Sequence, residues 1–395
     1  MARESNRSGW VAAAILVACL AGCGRAEPVP VAEAQAGSHA TGTAARVDTS
    51  SRAPTSTTVL TALSPPTPAE SAALEKWNAE LGIALSKWLA TRPDDADSAL
   101  AAALLAPLLA TEETRPETTM DLIAAALGDA ARLRPDDPGI AWLEAMRCPP
   151  GSTLCDRTSA LQRLMRLDAG NAEVWMVAAE RAYQDGDMAA FDEYLHLAAQ
   201  ASYYDSRYDT GAKLLADLLA SMPLPPRSPQ ADRVLRNIAD LDASPALSDA
   251  DFATVLASLH DPGVGDLPSF TPLTRACHPP LPVSRRRDCM GTSTRMAEAD
   301  ILLARVMGVY QMVVLTVGTP ANRYWRERLR QEKWLLSVGA RFPGQNGPDR
   351  ARAVWQLGEA PALQAWLKAN DHAMPPGWLP DDPRQRDLIT LGPSG

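Results

Sequence analysis

The chain has 395 residues, of which 46% are hydrophobic and 22% are charged, and its formal net charge is −9. This length is enough for one large domain or two ordinary domains with a well-buried core. The acidic balance, without a basic domain, excludes an electrostatic footprint for nucleic acid. A low aromatic content beside many Ala and Leu residues favours helices over sheets, so we predict an all-α fold.

The first pattern in the chain is an apolar run over residues 10–21, which follows Arg3 and Arg7 and leads into Leu20-Ala21-Gly22-Cys23. Its length fits the roughly 7 to 15 apolar residues of a signal peptide and is too short to span a bilayer. The segment resembles the signal of bacterial lipoproteins. The resemblance implies that residues 1–22 are a signal peptide that is removed, and that Cys23 then carries the lipid, with palmitate among its acyl chains.

Two alternatives for this segment remain open: an ordinary cleaved signal in which Cys23 lies at the boundary by chance, and an uncleaved membrane helix. The lipoprotein interpretation places the protein in the cell envelope, anchored to a membrane and facing the periplasm. In enterobacterial members of that family, Gly24 in place of Asp implies the outer membrane more than the inner one. Residues 23–66 would then be the lipidated cysteine and a flexible tether rich in Ala, Thr, Ser and Pro.

Helical signals begin at Thr67, because Thr67-Pro68-Ala69-Glu70 combines a capping box with a proline at the first helical position. Apolar residues then follow at spacings of three and four from Leu74 to Trp88, which indicates one buried face of a helix. Asp94-Asp95 and Asp136-Asp137 each precede a further helical segment. We interpret these acidic pairs as helix caps, in preference to paired catalytic carboxylates.

A repeat is indicated by Trp142 and Trp175, which lie 33 residues apart and each follow a turn signal. Residues 172–201 add small, aromatic and turn residues at set positions, namely Trp175, Ala179, Tyr183, Gly186, Asp187, Glu193, Tyr194 and Ala198. This pattern resembles the tetratricopeptide repeat (TPR), whose period is about 34 residues. The resemblance implies TPR-like antiparallel helical hairpins, stacked as an α-solenoid over residues 67–222. It also implies a concave partner-binding surface on the first helices, where both Trp residues are candidate contacts; the alternative is that they pack in the core.

Four cysteines follow the signal segment, in two local pairs: Cys148 with Cys155, and Cys277 with Cys289. In an exported protein, an even number of cysteines is typical of disulfides. Three connectivities are possible, and we predict the two local ones because each encloses a Pro-rich loop. The alternative is a metal site of Cys277, His278 and Cys289, although a CxxC knuckle and an evident fourth ligand are missing.

Residues 223–395 are predicted to form an α-helical C-terminal region with a long Pro-rich loop over residues 261–284 and a loose tail. Its most apolar run, residues 301–318, is assigned to a single helix from about Arg287 to Val317. Arg305 and Gln311 interrupt this run, which favours a buried helix over a membrane span.

The helix that follows Pro320 carries a basic stripe, formed by Arg323, Arg326, Arg330 and Lys333. Spacings of three and four place these side chains on one helical face. A solvated face with salt bridges to Glu327 is one interpretation. The other is a weak partner-binding site for anionic lipid or an acidic protein, which would suit a domain tethered to a membrane.

The sequence contains none of the common motifs for nucleophilic catalysis, zinc binding, phosphate binding or haem attachment. Four histidines lie beyond the tether and pair with no Ser or Cys in a recognised pattern: His196, His260, His278 and His372. We therefore predict no catalytic residue, metal or cofactor.

The leading functional hypothesis is a membrane-anchored lipoprotein that acts as a protein–protein interaction scaffold for other proteins of the bacterial envelope. Among lipoproteins, the TPR-like members assist envelope assembly or secretion machinery, so this step is implied by the resemblance alone. One alternative is an envelope enzyme, hydrolase-like, with a site in the C-terminal region near residues 261–289. Another is a dedicated inhibitor or immunity lipoprotein that neutralises one toxin.

Overall fold

The computed structural model describes residues 66–109, 116–238, 241, 247–260, 269–339 and 347–392. The expectations for the signal peptide, Cys23 and nearly all of the tether lie outside these residues. The helices are α1 Pro68–Ala90, α2 Ala96–Leu104, α3 Ala106–Leu109, α4 Pro116–Leu133, α5 Pro138–Arg147, α6 Arg157–Leu167, α7 Ala172–Gln184, α8 Met188–Gln200, α9 Thr210–Ser221, α10 Pro229–Ile238, α11 Asp249–His260, α12 Thr271–Ala276, α13 Val283–Met296, α14 Leu302–Leu315, α15 Ala321–Gly339, α16 Pro348–Leu357, α17 Glu359–Ala369 and α18 Pro383–Thr390. Within the described ranges no β-strand occurs, so the all-α prediction is confirmed. None of the described helices combines the length and apolar character that crossing a membrane requires.

Capping side chains fix where several helices begin. Thr67 and Glu70 form the capping box of α1: the Thr67 N–H donates to Glu70 Oε2 at 2.9 Å, and the Glu70 N–H donates to Thr67 Oγ1 at 3.3 Å. Asp95 and Asp137 accept hydrogen bonds from backbone N–H groups in the first turns of α2 and α5. The acidic pairs therefore include helix caps, as the sequence predicts.

The middle of the chain consists of two helical hairpins, α5 with α6 and α7 with α8. In the turn between α7 and α8, Gly186 has a φ of +76°, a conformation that residues with a Cβ rarely adopt. Ala179 and Ala198 are 1% and 0% exposed and lie in the same apolar cluster. Small side chains at these positions allow the two helices of this hairpin to pack closely.

The helix stack does not continue with the next helix in sequence. Instead α8 packs on α13, α13 on α14, and α14 on α15. Two glycines make these contacts close, since a Cβ on Gly291 would lie 2.7 Å from the Ala199 Cβ of α8. A Cβ on Gly308 of α14 would lie 2.6 Å from the Ser293 carbonyl oxygen of α13. Neither position has room for a larger residue unless the helices move apart.

Helices α9 to α11 return to the first helices of the chain. α9 packs against α11 and α2, and α10 packs against α1. The Trp77 ring of α1 meets the Phe252 ring of α11 edge-on, with 5.3 Å between centroids. The Trp77 indole also donates to the Pro225 carbonyl oxygen at 3.1 Å. The largest apolar cluster therefore contains residues from both sides of residue 222.

The single helix predicted from Arg287 to Val317 is wrong, because residues 297–301 separate α13 from α14. This break is stabilised from elsewhere in the chain. The Asp300 carboxylate accepts from the Ser206 N–H at 3.2 Å and from its hydroxyl at 2.8 Å. The Asp300 carbonyl oxygen accepts from the Ala360 N–H at 3.0 Å. The described part of the loop predicted at 261–284 contains α12, and the predicted loose tail contains α18.

Both unexpected helices have a proline in their first turn. Pro272 lies at the start of α12. Pro383 begins α18, and the preceding Asp382 carboxylate accepts from the Arg384 N–H at 2.9 Å. Proline is favoured in the first helical turn because its missing N–H would have no intrahelical partner there. Both start signals are therefore visible in the sequence.

Candidate functional site

The surface where the TPR resemblance places a partner is covered by the chain itself at α5. Trp142 is 0% exposed and lies in the same apolar cluster as Leu215 and Leu219 of α9. At the start of α5, a Cβ on Gly139 would lie 3.2 Å from Thr210 Cγ2 of α9. Within this fold Trp142 packs in the core and offers no surface to a partner.

The second candidate, Trp175 on α7, stays partly exposed, but its ring already has partners. The indole N–H donates to the Ala169 carbonyl oxygen at 2.8 Å, and the ring stacks on Tyr194 with 6.3 Å between centroids. Elsewhere on α7, the Glu180 carboxylate accepts from the Ser269 N–H at 3.0 Å, just before α12. Residues of α9 and α12 and their flanks thus occupy much of the predicted concave surface.

Arginines from neighbouring elements cap several helix C-termini in this region. A guanidinium at the last carbonyl groups of a helix satisfies acceptors that have no intrahelical partner and stabilises the negative end of the helix dipole. The donor–acceptor distances are 2.6 to 3.2 Å, and the pairs are Arg157 and Arg181 with Ala145, Arg286 with Leu315, and Arg328 with Ala297. Sequence patterns did not reveal these contacts, because each pair belongs to different elements of the fold.

Both predicted disulfides are present, with Cα–Cα distances of 6.0 Å for Cys148–Cys155 and 5.7 Å for Cys277–Cys289. The Gln311 amide of α14 donates to the Cys277 carbonyl oxygen at 2.8 Å, which explains a polar residue inside the apolar run. Since Cys277 and Cys289 are bonded to each other, the alternative metal site with His278 is wrong. The described part of the chain contains no group of three His, Cys, Asp or Glu residues that could hold a metal ion.

The basic stripe of α15 faces the C-terminal segment, residues 378–391. Arg323 is exposed. Arg326 donates to the carbonyl oxygens of Ile389 and Thr390, at 3.2 and 2.6 Å, and so caps α18. Part of the stripe is therefore covered by the C-terminal segment, whereas Arg323 stays exposed to solvent.

Arg330 and Lys333 continue this face of α15. The Arg330 guanidinium forms two bonds of 2.8 and 2.7 Å with Glu327, as the sequence suggests, and a third of 3.3 Å with the Trp378 carbonyl oxygen. The Lys333 side chain lines a cleft of about 400 Å³. The cleft is lined by Lys333, Leu336, Ser337, Trp378, Leu379, Pro380, Asp381 and Gln385. Burial lowers the pKa of Lys333, and the Asp382 charge opposes this shift.

A second cleft, of about 500 Å³, lies between α16 and α17. Its walls are mostly apolar, with Val354 and Leu357 on one helix and Leu363 and Trp366 on the other. Arg350 and Glu359 also line it. Burial lowers the pKa of Arg350, whereas it raises the pKa of Glu359. The Glu359 carboxylate accepts from the Leu302 N–H at 2.9 Å, so it also caps the start of α14.

Buried acidic side chains meet where α7, the segment after α8 and the α13–α14 turn adjoin. Glu173 is 0% exposed, and neither of its carboxylate oxygens accepts a hydrogen bond within the described residues. Burial raises the pKa of Glu173 well above its usual value; the nearby Tyr204 hydroxyl opposes this shift, and the Asp300 charge adds to it. Burial also raises the pKa of Asp209 to about 6. Because Glu173 is fully enclosed, its role concerns stability and not contact with a substrate.

One histidine has a carboxylate partner. His196 Nδ1 of α8 lies 3.2 Å from Asp288 Oδ1 of α13, and Gln200 lies 2.6 Å from its Nε2. Burial raises the pKa of Asp288, but the bonds from Arg287 and His196 outweigh this effect and hold it below its usual value. A His–Asp pair is one part of many hydrolase sites, where a nucleophile completes it. Here residues of α8 and α13 occupy both ring nitrogens, so the pair joins two helices.

The arrangement thus comprises a self-covered hairpin surface, two clefts and a buried acidic group. A scan against models of known protein families found no match to this chain, and searches among curated proteins and among solved structures found none either. Function is therefore inferred from the residues of this chain.

Proposed function

We propose that the protein is a lipid-anchored component of the bacterial cell envelope, facing the periplasm, that acts as a scaffold for other envelope proteins. The segment Leu20-Ala21-Gly22-Cys23 carries this proposal, because it resembles the site at which lipoprotein signals are cleaved and acylated. Two or three acyl chains on Cys23 would hold the protein stably, whereas one chain binds a bilayer only marginally. Gly24 favours the outer membrane.

The two disulfides support an extracytoplasmic location. Disulfides form and persist in oxidising compartments such as the periplasm, and they are rare in the cytosol. Both bridges are buried, with all four cysteines at most 7% exposed. They therefore belong to the packed fold and are not surface thiols that oxidise by accident.

A TPR-like organisation of residues 139–201 is part of the same proposal. The hairpins α5–α6 and α7–α8 support it, together with the spacing of Trp142 and Trp175. Since other parts of the chain cover α5 and α7, and α13 packs on α8, we expect partners to contact the exposed face of α6. This differs from the usual concave surface of such arrays.

Metabolic labelling with palmitate tests the anchor. We expect the label to be incorporated into the full chain and lost in Cys23→Ala. The matched control is Cys19→Ala, which changes a cysteine inside the apolar run and should keep the label. Labelling that persists in Cys23→Ala would overturn the anchoring proposal.

Crosslinking in intact envelopes tests the scaffold. The full chain is compared with a lipoprotein that carries only residues 1–66, which shares the anchor and lacks the helices. We expect specific envelope proteins to crosslink to the full chain alone. If the two forms recover the same proteins, the helical region does not bind partners and the scaffold proposal fails, while the anchor proposal stands.

A further inference from the structure

The cleft between α15 and the C-terminal segment has the size and the preformed walls of a ligand site. Its volume of about 400 Å³ falls within the range of roughly 300 to 1,000 Å³ that small-molecule sites occupy. One wall is α15, with Lys333, Leu336 and Ser337. The opposite wall, which includes Trp378, is held in place by Arg330 at the Trp378 carbonyl oxygen and by Arg326 at the end of α18.

The Lys333 ammonium group in this cleft has no close anionic partner. Arg326 and Arg330 are both occupied by backbone carbonyl groups, and Arg330 also by Glu327. Lys333 is half-buried, and within the described residues its ammonium group has no hydrogen bond and no ion pair closer than 4 Å. Removing a cation from water is unfavourable unless an opposite charge accompanies it, and the lowered pKa of Lys333 reflects this imbalance.

From these observations we infer that the cleft binds a small organic carboxylate, with Lys333 as the residue that pairs with the carboxylate group. This binding site is independent of the proposed scaffold function. Leu336, Trp378 and Leu379 supply apolar surface for the body of the ligand. The ligand therefore has a single negative charge at one end and an aliphatic or aromatic group at the other.

Phosphate fits this cleft less well than a carboxylate. Phosphate sites usually combine several charged or backbone N–H donors, because the ion carries up to two charges and several acceptor oxygens. Here one ammonium group faces the cleft, and the exposed Asp381 carboxylate at its edge would repel a dianion. A monovalent carboxylate requires only one cation, and its single charge is repelled less by Asp381 than the two charges of a phosphate dianion.

The alternative is that Lys333 is a hydrated surface lysine without a ligand. Reductive methylation of the full chain, followed by mass spectrometry, separates the two because it reports on Lys333 individually. The probes are hexanoate and benzoate, with hexanol as the uncharged analogue and inorganic phosphate as the anion without an apolar body. Lys368 of α17, which is exposed, is the internal control.

We expect hexanoate or benzoate to slow the methylation of Lys333 about tenfold or more at saturation, without an effect on Lys368. In calorimetry, Lys333→Met should weaken binding by about tenfold or more, as expected for loss of a hydrogen bond to a charged group. Lys368→Met should bind as the parent chain does. Equal protection by hexanol or by phosphate, or no protection by either carboxylate, would overturn the inference without any need for a variant.

Discussion

Glu173→Gln is expected to stabilise the protein, and by an amount that depends on pH. The Glu173 side chain is fully buried and accepts no hydrogen bond within the described residues. Burial raises its pKa, and the charges of Asp300, Asp205 and Glu180 add to the shift. A group with a raised pKa in the folded state contributes fully to stability below its unfolded pKa, near 4.5, and this contribution is lost as pH rises towards the folded pKa.

The size of the effect follows from the proton that the folded state retains. For each pH unit above about 4.5 at which the folded state keeps this proton, the free energy of unfolding falls by about 1.4 kcal/mol, because the unfolded chain ionises the group near pH 4.5. Gln has nearly the same shape and needs no proton to be neutral. Glu173→Gln should therefore raise the free energy of unfolding by close to nothing at pH 4, and by about 1.4 kcal/mol more for each pH unit over which the folded carboxyl stays protonated.

Urea unfolding of both proteins, followed by circular dichroism between pH 4 and pH 8, measures this difference. Glu193→Gln on α8 is the matched control, because Glu193 is exposed and the same chemical change should have little effect there. The reasoning is refuted if Glu173→Gln is the less stable protein at pH 7. It is also refuted if the difference from the parent chain is the same at every pH.

Three further outcomes are expected. Replacing both Cys148 and Cys155 by Ser should lower the free energy of unfolding by about 2 to 3 kcal/mol in denaturant titrations, and an unchanged midpoint would contradict this estimate. Gly308→Ala should lower it by about 2 kcal/mol or more, because the new Cβ would lie 2.6 Å from the Ala297 nitrogen; a neutral effect would mean that α13 and α14 separate easily. Arg326→Met should reduce hydrogen-exchange protection in α18 by about tenfold and leave α13 unchanged, whereas equal loss in both helices would indicate general unfolding.

The features that the sequence predicts correctly have local causes. Thr67 and Glu70 form their capping box within a single turn, so neighbouring residues alone determine where α1 begins. The Cys148–Cys155 disulfide joins cysteines only seven residues apart, between α5 and α6, whereas Cys277 and Cys289 lie more than 100 residues further along the chain. The all-α class follows from composition and helical spacing, which are also local properties.

The features that sequence reasoning missed depend on residues far apart in the chain. Residues 297–301 interrupt a helical pattern because Ser206 and Ala360 supply hydrogen bonds to Asp300 there. The sequence makes Trp142 a candidate contact residue because it does not show that α9 packs over this side chain. For the same reason, spacing alone does not distinguish Arg326, which caps a helix, from Lys333, which lines a cleft.

The long-range contacts of Trp77 on α1 also constrain the order in which this chain can fold. The Trp77 indole bonds to the Pro225 carbonyl oxygen, 148 residues further along, and its ring packs on Phe252. When the chain emerges N-terminus first, the Trp77 side of α1 therefore stays uncovered until residues 225–252 have appeared. Contacts of such long sequence separation slow folding and expose surfaces that aggregate. During synthesis, α1 is therefore a segment of the protein that a chaperone would need to cover.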